Sequence, residues 1–164
     1  MRIRRRLQMG MAGLLGGPFL RGCGAIRPEQ VMAQLELGEH MKQTGFLIDV
    51  PGAAEIINWF GHWPTFHDAE VVSIELNRSG TSILKVHTFV GHKHAIVSFL
   101  LDDICELQLS GFNHQNVIFR LDLNKQDEEY EIVLVGCYGV EGRIVTKKIQ
   151  ITFEAGIPAS SVYA

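Results

Sequence analysis

From Glu70 almost to the end of the chain, apolar and polar residues alternate with a period of two. Side chains of a strand point alternately to opposite faces, so this period marks half-buried β-structure. Val72, Ile74 and Leu76 against Ser73, Glu75 and Asn77 predict a strand over residues 70–78, closed by a turn at Ser79-Gly80. A return strand over 82–90 follows, with Leu84 and Val86 inward and Lys85 and His87 outward. Gly91-His92-Lys93 is the next turn. Residues 95–101 are continuously apolar, as in a central strand, and Asp102-Asp103 is expected to break it before a short strand over 104–109. Residues 117–123, 130–135 and 145–153 alternate again, separated by a charged turn over 124–129 and a glycine-rich connection over 136–142. Lys147 on the apolar side of the last strand suggests an edge position, where a lysine discourages pairing with another chain.

Ahead of the strands the period differs. Ala53, Ala54, Ile56, Ile57 and Phe60 describe a mostly apolar helix beginning near Pro51. Gly61 is placed to end it and Pro64 cannot continue it. The expected fold is therefore α+β and mostly β: one short N-terminal helix on an antiparallel meander or small sandwich of about seven strands. No helix long enough for a crossover between parallel strands interrupts them.

The first forty residues do not share this patterning. Residues 1–27 carry six arginines and no acid, with an apolar, glycine-rich stretch from Leu7 to Leu20. We read residues 1–40 as an extension outside the domain, either disordered or preceding a true start at Met41. The alternative is an export or lipid-anchoring signal ending near Cys23, against which Arg21, Gln8 and Pro18 count. The stretch is too short and glycine-rich to span a membrane. Residues 41–154 then form one domain, and residues 155–164 an unstructured tail.

From Met41 onward nine lysines and arginines face fifteen aspartates and glutamates, a net charge of −6. That balance argues against nucleic-acid binding through bulk electrostatics and suits a basic protein partner. The three cysteines, Cys23, Cys105 and Cys137, form no close pair and no disulfide framework; reduced, partly buried thiols in a cytoplasmic protein are expected.

Candidate chemistry gathers between Trp59 and Glu70, which holds both tryptophans together with Phe60, Phe66, His62, His67, Asp68 and Glu70. In the structural reading, Trp59, Trp63 and Phe66 anchor the helix against the sheet, and His67 with Asp68 and Glu70 holds the corner shut. In the chemical reading, His62, His67, Asp68 and Glu70 bind a divalent metal, with His92 and His94 a further pair at strand spacing. No standard metalloenzyme spacing supports the second reading. There is no Gly-x-Ser-x-Gly elbow, no phosphate-binding glycine loop and no dinucleotide fingerprint, and no cofactor is expected. The loop Asn113-His114-Gln115-Asn116 is the other candidate: its amides either satisfy turn backbone groups or contact a partner.

At these two motifs the chain resembles the immunity protein 50 (Imm50) family of bacterial polymorphic toxin systems. The resemblance is carried by the run from Trp59 through Phe66-His67-Asp68-Ala69-Glu70 to Ile74, by Leu76 to Gly80, by Gly111 to Phe119 and by Cys137 to Gly142. It covers about residues 52–153 and leaves residues 1–40 outside. It implies a small, mostly β, cytoplasmic protein that neutralises a cognate toxin by binding it, with no catalytic residues. On this basis His114, Gln115, Asn116, Asp127, Glu128 and Glu129 are expected to contact the partner, and Trp59, Trp63, Phe66, His67, Asp68 and Glu70 to hold the fold. The metal-binding domain or metal-dependent enzyme built on His62, His67, Asp68 and Glu70 is the alternative.

Overall fold

A computed structural model of the chain describes residues 45–164, so the reading of residues 1–40 lies outside the described residues. Six antiparallel strands follow helix α1: α1 (Ala53–Phe60), β1 (Ala69–Glu75), β2 (Ser82–Val90), β3 (Lys93–Ser110), β4 (Val117–Gln126), β5 (Glu129–Tyr138) and β6 (Glu141–Ala155). The strands close into a barrel in the order β1-β2-β3-β6-β5-β4. Two three-stranded meanders, β1–β3 and β4–β6, are thus joined along two seams. One seam is long, with β3 paired to β6 from Ala95↔Ala155 to Ser110↔Glu141. The other is short, with β1 meeting β4 only at Ala69↔Ile118 and Glu70↔Val117.

The mostly β, antiparallel fold is as the periodicity indicates, but the strand count differs. The two segments on either side of Asp102-Asp103 are one 18-residue strand. Asp103 does not end it because an aspartate tolerates the left-handed backbone that it adopts, φ 58°. The strand kinks there instead of stopping. Odd positions Ala95, Val97, Phe99 and Leu101 are buried before the kink, whereas Ile104 packs on the core after it. The inward set changes parity on β6 at the same level, from Ile144 and Thr146 to Ile149 and Ile151, which leaves Lys147 and Lys148 both exposed. Thr146 Oγ1 donates to the Asp102 carbonyl at 2.6 Å and ties the two kinks together.

Lys147 lies immediately beyond the last β5 pair of β6, Tyr130↔Thr146. From there onward β6 has one strand neighbour, and residue 51 covers part of its other edge: Ile151 N–H donates to the Pro51 carbonyl at 2.8 Å. On β1 the inward residues are Ala69 and Val71, not Val72, because a bulge at Val72 shifts the register before Ile74. Leu76 lies past the strand and is exposed. The glycine-rich connection is a hairpin in which Gly136 and Gly142 belong to the strands.

Helix α1 turns Ala53, Ile56 and Phe60 into the same core as the inward-facing barrel residues. Gly61 adopts φ 90° and returns its N–H to the Ile57 carbonyl at 2.7 Å, ending the helix as its position suggests. Gly52 is required at the other end: a Cβ there would lie 1.7 Å from the Ile151 carbonyl oxygen. Lys93 joins the β2–β3 hairpin to the helix, donating to the Trp59 carbonyl at 2.6 Å with its ammonium 5.6 Å from the indole centroid. Among the described residues no helix is long and apolar enough to cross a membrane.

The aromatic corner is anchored by Phe66. Phe66 and Asp68 both take left-handed backbone, φ 57° each, and this sends Phe66 inward while His67 turns outward. Phe66 is 1% exposed and packs between Trp63, at 5.7 Å, and Phe99, at 5.9 Å. Trp59 and Trp63 are only partly buried, and Trp59 leans on Phe153 at 5.7 Å. His67, expected to hold the corner, has a side chain 55% exposed and pairs with Asp68 at 2.9 Å. A surface ion pair of this kind contributes less than about 1 kcal/mol. Phe66→Ala is accordingly expected to cost about 3–5 kcal/mol and His67→Ala under about 1 kcal/mol. Urea midpoints of the two variants check this, and equal losses would overturn it.

A buried histidine line and an exposed aromatic face

The outer wall of the barrel carries one continuous cross-strand row. Tyr138 stands opposite Val117, Val117 opposite Glu70, Glu70 opposite His87, His87 opposite Ile96, and Ile96 opposite Glu154. His87 therefore faces away from the barrel interior, as the alternation of β2 indicates. It is nevertheless fully buried. The residues expected to form an unstructured tail carry no helix or strand beyond Ala155, but they turn back over this row.

Under that covering lie Glu70, His87 and His94. His87 Nδ1 is 3.0 Å from Glu70 Oε2, and His87 Nε2 is 3.2 Å from His94 Nδ1. The two imidazoles are nearly parallel, at 13° with centroids 5.3 Å apart. The two-residue turn at Gly91-His92 sets this geometry: it places Phe89 opposite His94, so His94 lies diagonally beside His87. From the covering segment, Val162 N–H donates to Glu70 Oε1 at 2.9 Å and Ser161 Oγ lies 3.3 Å from His87 Nδ1. The Tyr163 ring sits 4.9 Å from Phe89 and 5.9 Å from His87.

Burial alone would push the Glu70 carboxyl up. Hydrogen bonds from Ser161, the Val162 amide and His87, with the adjacent imidazole charge, together hold it below its ordinary value. A depressed carboxylate stabilises the fold fully above the ordinary carboxylate range, and that stability is lost as pH falls through the folded value. The line is not arranged for nucleophilic catalysis. Ser161 and Glu70 approach the same nitrogen, Nδ1, so the imidazole cannot take a proton from serine while a carboxylate orients its far side.

The candidate metal residues do not converge. Glu70 turns to His87, His67 and Asp68 pair on the surface, and His62 and His92 are exposed. Among the described residues no three of His, Cys, Asp and Glu form a metal-binding group. Cys105 and Cys137 are free and exposed, not partly buried.

The amide loop divides into inward and outward parts. Asn116 is 5% exposed, with φ 46°, and its side chain is used inside the loop. Its Oδ1 accepts from Asn113 N–H at 2.8 Å, and its Nδ2 donates to the Asn113 carbonyl. Asn113 Oδ1 accepts in turn from the Gln115 and Asn116 amides. Gly139 of the β5–β6 hairpin packs directly on Asn116, where a Cβ would lie 2.8 Å from Asn116 Cα. Asn116 is thus a loop-builder and not a contact residue, whereas His114 and Gln115 are exposed. Asp127, Glu128 and Glu129 are exposed at the β4–β5 hairpin, with Asp127 at φ 53°. The structure does not bring them to the amide loop: the ten residues of β4 separate the two by about 30 Å.

Beside His114 and Gln115 the sequence reading missed an aromatic face. Phe112, Phe119 and Tyr138 are 61%, 49% and 63% exposed, and Phe119 meets His67 edge-on at 4.9 Å. Strict alternation over 117–123 would put Phe119 on the side of Leu121 and Leu123; a register shift between Ile118 and Arg120 turns it out. Exposed aromatic clusters of this kind mark interaction surfaces.

The fold and site define a small closed antiparallel barrel whose outer wall carries an exposed, amide-edged aromatic face and a covered histidine–carboxylate line. The chain belongs to the immunity protein 50 family, whose model, Imm50, matches residues 52–154. That span runs from the glycine at the start of α1 to the penultimate residue of β6. No curated protein and no solved structure matches the chain.

Two expectations follow. Asn116→Ala should cost about 1–3 kcal/mol through unpaired loop backbone, and His114→Ala should leave stability unchanged; thermal melting of both reads this out, and a neutral Asn116→Ala would overturn it. The stability advantage of the native chain over Glu70→Gln, measured near neutral pH, should shrink as pH falls below the ordinary carboxylate range. A constant difference across that range would show that the Glu70 charge is not what matters.

Proposed function

We propose that this chain is a cytoplasmic immunity protein that binds and neutralises a cognate bacterial toxin domain without catalysis. Membership of the immunity protein 50 family carries the reading. The exposed aromatic residues Phe112, Phe119 and Tyr138, flanked by His114 and Gln115, support a binding role. Large aromatic side chains contribute most to protein interfaces, with amides as adaptable polar contacts at their rim. The net negative charge of residues 41–164 favours a basic partner and speeds its approach. The acidic hairpin at Asp127, Glu128 and Glu129 contributes to that steering from a distance, since it stands apart from the aromatic face.

The full chain, tagged and expressed in its native host, should retain one toxin-domain protein in near-equimolar amount. Co-expression with that toxin should restore growth. Phe119→Ala and Tyr138→Ala should each weaken the complex by roughly tenfold or more, as expected of interface aromatics, while the melting temperature stays within a few degrees. A toxin that kills equally with and without this chain overturns the immunity reading. Full protection by the doubly substituted chain overturns the placement of the interface.

A further inference from the structure

Few contacts hold the covering segment over the outer wall. Gly156 N–H donates to the His94 carbonyl at 3.0 Å, where the segment leaves β6. Beyond it, the polar contacts to the wall are Val162 to Glu70 and Ser161 to Glu70 and His87, and the aromatic ones are Tyr163 against His87, Phe89 and His94. Apart from Phe89, every one of these anchors is Glu70 or one of the two histidines. Attachment of the segment thus depends on three adjoining groups whose charges change with pH.

Hydrogen-bond inventory sets a limit on those charges. With Glu70 ionised, His87 Nδ1–H donates to it. The contact between His87 Nε2 and His94 Nδ1 then requires one of these nitrogens to be without a proton. One positive charge shared by the pair is accommodated, because N–H···N remains intact and Glu70 offsets it. A second proton sets two N–H groups head to head at 3.2 Å and stacks two cations, with Glu70 the one carboxylate in contact with them. His87 is fully buried, so water cannot solvate the excess charge. His94, which is partly exposed, is the ring able to swing out, and doing so removes one wall of the Tyr163 seat.

We propose that residues 158–164 form a proton-operated strap: a second proton on the His87–His94 pair releases the segment and uncovers Glu70, His87 and Phe89.

The groups facing the pair are few. Glu70 comes from β1, with Asp68 beside it, His87 from β2, His94 from β3, Glu154, opposite Ile96, from β6, and Tyr163 from the strap. Burial, and then the charges of Asp68 and Glu70, push the Tyr163 hydroxyl up, so it stays neutral throughout. Lys93, next to His94, sends its ammonium to the Trp59 carbonyl instead. The sign follows from the pair. Every proton taken up beyond the first weakens the seat, so release is favoured as pH falls. Glu70, once uncovered, is paired to Val117, which stands opposite Tyr138, so release exposes wall next to the aromatic face.

Amide hydrogen exchange of the full chain tests this, with protection factors taken against free-chain rates at the same pH. From about pH 7.5 to about pH 5.5, protection at Val162 and Tyr163 should fall at least about tenfold. Leu84 and Phe99 in the barrel should hold theirs. In His94→Leu the lone His87–Glu70 pair keeps its single charge, so strap protection at the lower pH should equal its value at the higher. Unchanged Val162 protection in the native chain overturns the proposal, and this arm needs no variant. An equal loss in native chain and His94→Leu also overturns it, because release would then not depend on the second imidazole.

Discussion

Everything in this barrel depends on a closure of two residue pairs. Along β1 and β4 only Ala69↔Ile118 and Glu70↔Val117 are in register, with Val71 N–H reaching the Asn116 carbonyl at 2.9 Å beyond them. Closure removes the exposed edges that an open sheet of these strands would present. It also seals the interior, so that Ala69 and Ile118 are fully buried and face the core from the two sides of the seam. The features around it serve this narrow contact. The left-handed turn at Phe66 and Asp68 delivers β1 to it, and the Asn113–Asn116 loop delivers β4. Both turns use backbone that most side chains disfavour, and both are held by specific packing or hydrogen bonds.

The same seam assembles the outer surface. Because Glu70 pairs with both Val117 and His87, one carboxylate lies between the aromatic face of one meander and the histidine line of the other. The aromatic face and the histidine–carboxylate line are therefore neighbours on one wall. In this member of the immunity protein 50 family, the wall presents exposed aromatic side chains on one side and a covering segment on the other.

Much of the fold is legible in the sequence, and the residues that are not share a cause. Strand identity and inward-facing sets follow period two wherever the register is regular, as at Leu84, Val86, Leu121 and Ile132. It fails at Val72, Phe119, Asp103 and Lys147, where a bulge or kink shifts the parity. Bulges and kinks create the coiling that a small barrel needs, and their positions leave little trace in polarity. In the corner motif Phe66 is the buried anchor, whereas His67, expected to hold the corner, is turned to the surface by the left-handed backbone at Phe66 and Asp68, which polarity does not reveal. His87 was correctly read as outward. Its burial comes from residues 74 positions further along the chain, beyond the reach of local periodicity. A signal for His94 did exist, since a two-residue turn at Gly91-His92 fixes the diagonal contact between the imidazoles.

The division into two meanders has a consequence for how the chain reaches this state. Within β1–β3 and within β4–β6 each pairing joins neighbours in sequence through short connections, which form on the microsecond scale. The two seams join residues far apart: Ala69 to Ile118, and Ala95 to Ala155. Loop-closure entropy must be overcome before such contacts contribute, so they are the late and slow steps of folding. Until then each meander exposes two unpaired edges and one apolar face. For a chain of this topology the interval before barrel closure is when it is most open to pairing with the wrong partner, including another copy of itself.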